Sequence, residues 1–109
     1  MKIDVDNEDG VVIVRPNGKL DALTAPALQE SLDRALDDGA QRLVIDMAGV
    51  KYVSSAGLRV FIRVGKKLLQ SGKLAVAGPH PSVRQVFDMA GFDMIMTICD
   101  DVDAAKSAV

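Results

Sequence analysis

The segment Arg42 to Met47, RLVIDM, limits the possible folds more than any other part of the chain. A strand with one wet face alternates apolar and polar residues, whereas Leu43, Val44 and Ile45 follow one another without interruption. Such a run predicts a strand covered on both faces, the central strand of a sheet flanked by helices. The remaining chain must then supply neighbouring strands and covering helices. At 109 residues it is long enough for one continuous core and too short to divide comfortably in two, so a single domain over residues 1–109 is expected.

The β-branched run VVIVRP, Val11 to Pro16, predicts a strand that pairs with Lys2 to Val5 across the polar turn Asp6 to Gly10, an opening β-hairpin. Gly18 to Asp21 follows as a short extended piece. Thr24 stands where a helix N-cap would be, with Pro26 in the first turn, and a helix is expected over Ala25 to Asp37. Its apolar stripe is Leu28, Leu32, Ala35 and Leu36, at spacings of three and four. After the central strand, Val50 to Val53 leads into Ser54 and Ser55, from which a second amphipathic helix runs to Ser71-Gly72 with Leu58, Phe61, Ile62, Gly65, Leu68 and Leu69 inward. Further expectations are a strand at Lys73 to Ala77, a helix at Pro81 to Met89, a last strand at Met94 to Cys99 and a terminal helix over Val102 to Ala108. The order implies an α/β fold with a mixed sheet covered by helices. Met89, Met94 and Met96 read as core filler.

Several function classes fall away on composition. Thirteen basic and 15 acidic residues leave a net charge of -2, with no cationic surplus to neutralise nucleic acid or an anionic membrane. No apolar run approaches the roughly 20 residues that cross a bilayer, and the first residues carry no leader pattern, so a cytoplasmic domain is expected. One cysteine, Cys99, and one histidine, His80, make a transition-metal site unexpected. Neither a G-x-x-x-x-G-K-[ST] loop nor a G-x-G-x-x-G fingerprint is present, and no cofactor is expected.

The chemistry concentrates at Ser54 and Ser55, between a strand and a helix. One serine is expected to cap the helix, a role worth about 1 kcal/mol. The other hydroxyl would then lie free at the positive end of the helix, where exposed N–H groups and the macrodipole favour an added anion. A nucleophile elbow is not indicated, because V-S-S-A-G lacks glycine two positions before either serine. Asp21 and Asp46 form no obvious acid/base pair; each reads as a solvated or turn-capping carboxylate. Arg59, Arg63, Lys66 and Lys67 read as a solvated helix face, with a docking surface as the alternative.

Three segments resemble the STAS family of sulfate transporters and anti-sigma factor antagonists: IDMAGVKYVSSAGLRVF at Ile45 to Phe61, GKLDALTAPAL at Gly18 to Leu28 and VRQVFDMAGF at Val83 to Phe92. The first is similar to the family's D-S-[ST]-G-L helix start, with Ser54 in the place of the aspartate, Ser55 in that of the phosphate-accepting serine and Ala56 in that of the second hydroxyl residue. The resemblance implies a non-enzymatic anti-sigma factor antagonist of STAS-like fold. Its partners would be an anti-sigma factor with a histidine-kinase-like ATPase fold, acting as serine kinase on Ser55 (Ser54 as the lesser alternative), and a PP2C-type phosphatase. The implied docking surface comprises Asp21, Thr24, Ser54, Ser55, Ala56, Gly57, Leu58 and Arg59. Two other roles remain open on resemblance: an adaptor beside a lipid-transport ATPase, and a partner-switching regulator without a sigma factor.

Overall fold

The computed structural model describes residues 1–109. The opening hairpin pairs β1 (Lys2–Glu8) with β2 (Val11–Leu20) from Lys2↔Asn17 to Glu8↔Val11. It is longer than the pattern suggested, because only Asp9 and Gly10 are needed to turn. Both have positive φ, 55° and 81°, the geometry that matches the twist of a two-residue hairpin. The extended piece at Gly18 is the continuation of β2 rather than a separate element.

Downstream come α1 (Ala25–Asp37), β3 (Arg42–Asp46), β4 (Val50–Val53), α2 (Ser55–Leu68), β5 (Lys73–Ala77), α3 (Pro81–Met89), β6 (Thr97–Cys99) and α4 (Val102–Ala108). The sheet is mixed. Its order is β1-β2-β3-β5-β6, with β4 pairing the C-terminal part of β2, and every pairing after the hairpin is parallel. The last strand is shorter than expected: Phe92 to Met94 form a 3-10 turn, and only Thr97 to Cys99 reach β5.

The central strand is covered on both faces. Leu43 and Ile45 join the main core with Leu28, Leu32, Phe61 and Phe87, while Val44 joins a smaller core with Val11, Ile13, Ala75 and Ala77 that α4 closes through Ala105. Phe87 lies 5.2 Å from both Phe61 and Phe92, ring centroid to centroid, and so locks α2, α3 and the 3-10 turn together. In α2 the buried positions are Gly57, Val60, Phe61, Val64, Gly65 and Leu68. The stripe is thus rotated from the expected one: Leu58 and Ile62 flank the core half-buried, and Leu69 lies outside it, 57% exposed. Of the three methionines read as core filler only Met96 is buried; Met89 and Met94 are 80% and 83% exposed. No helix is long and apolar enough to cross a membrane.

Candidate functional site

Parallel pairing of β2 with β4 sets Leu20 opposite Val53, and the Ser54 N–H extends the ladder by donating to the Leu20 carbonyl at 2.8 Å. Two turns therefore leave the sheet side by side: Asp21 to Thr24, leading into α1, and Ser54-Ser55, leading into α2. This long-range pairing brings together the two segments that local sequence could only name separately.

The two serines divide their roles. Ser54 is extended (φ -85°, ψ 175°) and caps α2: its Oγ accepts from the Gly57 N–H at 3.4 Å, and its carbonyl accepts from Leu58 N–H at 2.9 Å. Ser55 is the first helical residue, exposed, and its hydroxyl makes no hydrogen bond within the chain. With no base hydrogen-bonded to it, this hydroxyl is not activated as a nucleophile. It stands instead where the orphan N–H groups of the first turn point outward, a setting suited to an added anion.

Gly57 explains how α2 comes so close to the strand ends. A Cβ there would lie 2.7 Å from Leu20 Cγ and 2.9 Å from Val53 Cγ1, so only a missing side chain permits the approach. Gly57 is buried, Leu58 and Ala56 are half-buried, and Arg59 is exposed.

In the neighbouring turn, the expected capping role of Thr24 is not found. Its side chain makes no cap to α1; Oγ1 instead donates to the Lys19 carbonyl at 2.7 Å and accepts from the Asp21 N–H at 2.9 Å. Thr24 is itself in a helical conformation (φ -101°, ψ -23°), which turns its hydroxyl away from the helix start and back toward the turn. Asp21 closes the turn that precedes the helix: its Oδ1 accepts from Leu23 N–H at 2.9 Å and Thr24 N–H at 3.1 Å, and its carbonyl accepts from Ala25 N–H at 2.8 Å. The Leu23 hydrogen bond is the chief cause that holds the Asp21 carboxyl below the ordinary aspartate value; partial desolvation opposes it, and the contacts with Thr24 and the charge of Lys19 reinforce it. Asp46 is separate from this corner, where it takes the Ala48 N–H at 3.1 Å and lies 3.5 Å from Arg15 Nε.

Leu23, which the apolar periodicity does not single out, stands 91% exposed on the Asp21 turn. Its only sequence signal is an apolar residue out of phase with the α1 stripe. Along α2, Lys67 pairs with Asp33 at 3.6 Å, whereas Arg59 and Arg63 are exposed and form no ion pair. His80 lies elsewhere, with Nε2 3.0 Å from the Ala48 carbonyl, and Cys99 is half-buried with its thiol pushed up by burial and by Asp100 and Asp101.

Residues 2–105 match the family described as the STAS domain. The Bordetella bronchiseptica protein BtrV, provisionally named an anti-sigma factor antagonist, is 37% identical over 109 residues, covering 99% of this chain and 94% of its own. The crystal structure of an anti-sigma factor antagonist from Mycobacterium paratuberculosis superposes with a TM-score of 0.92 at 30% identity, over 99% of this chain and 92% of the other. The Bacillus cell fate determinant SpoIIAA in its phosphorylated form superposes with a TM-score of 0.76 over 99% of this chain and 100% of that one; at 18% identity this is a likeness of fold.

Proposed function

The chain belongs to the STAS domain family, of the anti-sigma factor antagonist type, and from that premise we propose that it is a phosphorylation-controlled partner switch with Ser55 as its acceptor. Unmodified, the surface formed by the Asp21 turn and the start of α2 docks on an anti-sigma factor with a histidine-kinase-like ATPase fold, which then lets go of its sigma factor. The same partner phosphorylates Ser55, and a PP2C-type phosphatase restores the hydroxyl. The domain is a ligand and a substrate in this cycle.

The observation that carries this reading is the division between the serines: Ser54 is committed to the helix cap, while the Ser55 hydroxyl is exposed and unpartnered. A phosphate adds about -1.5 to -2 charges and three acceptor oxygens at that point. Because Ser55 is already outside the core, modification leaves the fold in place and acts on the interface. Burying that charge against a docked protein costs about 2–5 kcal/mol, and with roughly 1.4 kcal/mol per factor of ten this weakens binding from some 30-fold to several thousand-fold.

Three variants test the proposal. Ser55→Ala keeps partner binding and abolishes phosphate incorporation; incorporation that survives in Ser55→Ala and disappears in Ser54→Ala transfers the switch to Ser54. Ser55→Asp folds normally and binds more weakly by calorimetry, and an unchanged dissociation constant refutes the charge switch. Capture from native lysate with wild-type and Ser55→Asp baits recovers the ATPase-fold kinase on wild type alone. Equal recovery of transporter subunits on both baits makes the domain an adaptor instead.

A further inference from the structure

We infer that Leu23 is the apolar anchor of the docking surface and that Arg59 and Arg63 give this surface a cationic rim, so that the partner presents an apolar socket edged by carboxylates. The inference rests on the partner-switch reading and specifies the chemistry of the kinase face that the domain meets.

A single exposed leucine is ordinary on a protein surface. Leu23 differs in how it is held. Its own N–H is tied to Asp21 Oδ1 at 2.9 Å, and the flanking chain is closed by Thr24 Oγ1 donating to the Lys19 carbonyl at 2.7 Å and accepting from Asp21 N–H at 2.9 Å. A large apolar side chain thus projects, 91% exposed, from a backbone that is already ordered, and docking it costs little chain entropy. The Asp21 carboxylate acts here as a positioning group.

The surroundings of Leu23 match such a role. A shallow hollow of about 280 Å³ lies between α2 and the start of α1; Ala22, next to Leu23 in the chain, lines it with Pro26 and Gln29, opposite Ala56, Arg59 and Arg63. Its lining combines small apolar side chains with Gln29 and the two arginines. Neither arginine has a carboxylate partner within the chain, although Lys67 on the same helix does. Two unpaired guanidinium groups lining the hollow that the Leu23 turn borders are complementary to an acidic, apolar-centred surface. A second copy of this chain would bring the same arginines face to face, which disfavours a self-pair through this site.

The rim also sets the sign of the switch. Arg59 stands one helical turn beyond Ser55, where i and i+4 side chains are neighbours. A phosphate on Ser55 meets the partner's carboxylates with like charge and draws Arg59 away from them, so both effects loosen the complex.

The test titrates the purified ATPase-fold kinase captured by the wild-type domain with wild type, Leu23→Ser, the double variant Arg59→Gln/Arg63→Gln, and Leu69→Ser, at about 50 and about 300 mM salt. Leu69 is an exposed leucine at the far end of α2 and serves as the control. Leu23→Ser raises Kd about tenfold or more at both salt concentrations, as expected of an interface anchor. The double arginine variant binds more weakly at low salt and loses most of the salt dependence, while Leu69→Ser binds as wild type does. Leu23→Ser within twofold of wild type, an equal loss in Leu69→Ser, or self-association that depends on Leu23 overturns the anchor. A salt dependence that persists without both arginines overturns the rim. These results leave the switch standing; Ser55→Asp binding as tightly as wild type overturns the switch itself, and with it the acidic socket.

Discussion

At the scale of single residues, the docking corner depends on the carboxylate that organises its turn. Asp21 accepts two backbone N–H groups and contacts the Thr24 hydroxyl, and these bonds are stronger to the ionised form. Its folded pKa is lowered, so the turn gains stability above the unfolded value, and that stability is lost as pH falls through the lowered folded value. The Leu23 and Thr24 amides, followed by NMR through an acid titration, are expected to shift with a midpoint below the 3.8 of an ordinary aspartate. A midpoint at or above that value means the carboxylate does not organise the turn. Cys99 is displaced in the other direction, by burial first and by Asp100 and Asp101, so it is a protonated thiol at neutral pH.

At the scale of elements, α2 is placed by the absence of a side chain. Alanine is the better helix former by about 1 kcal/mol, so in an isolated helix Gly57→Ala would be stabilising. Here the added Cβ would sit 2.7 Å from Leu20 Cγ and 2.9 Å from Val53 Cγ1, on side chains anchored in β2 and β4. Overpacking of this kind costs about 1–3 kcal/mol, which outweighs the propensity gain. Gly57→Ala is expected to lower the urea midpoint by an amount equivalent to about 1 kcal/mol, with an unchanged m value. A raised midpoint would mean that Leu20 yields and that the close approach is not required. The same displacement would move Ser55 relative to the Asp21 turn, so partner affinity is expected to fall more than stability alone explains.

At the scale of the whole molecule, the sheet is closed unequally. Three helices cover the larger core, whereas the opposite face depends on α4 alone, with Ala105 buried against Ala75, Ala77 and Val44. Arg42 helps to hold α4 down by donating to the Val109 and Lys106 carbonyls at 3.1 and 3.5 Å. An unpaired charge in this face has no partner, so Ala105→Asp is expected to cost about 3 kcal/mol or more, or to release α4. Either result appears as a lowered denaturation midpoint, and release also exposes the α4 amides to hydrogen exchange. An unaffected midpoint would show that the face does not contribute to global stability. Because the docking corner lies on strand ends shared with the larger core, partner binding is expected to survive release of α4.

Much of the architecture is legible in the sequence because it is local. The uninterrupted Leu43-Val44-Ile45 run specifies a strand with two buried faces, the β-branched run from Val11 marks the second strand of the opening hairpin though not its two-residue turn, and the spacing of Leu28, Leu32 and Ala35 outlines α1 over its observed length. The pair Ser54-Ser55 before an apolar helix is equally local, and so is the inference that one serine caps. Other features required the tertiary structure. Which serine caps depends on Ser54 being extended by its bond to Leu20; Thr24 looks like a cap in sequence but turns toward Lys19 instead. The rotation of the α2 stripe onto Val60 and Val64, and the exposure of Met89 and Met94, depend on which neighbours arrive, since apolar side chains at helical spacing do not say which of them will be covered. The meeting of the Asp21 turn with the Ser55 helix start depends on parallel pairing of β2 with β4, strands that are separated in sequence by α1 and β3. Dihedral preferences and hydrophobic period act over a few residues and are written in the chain; pairing and coverage are won in competition among distant segments, and only the folded molecule records the outcome.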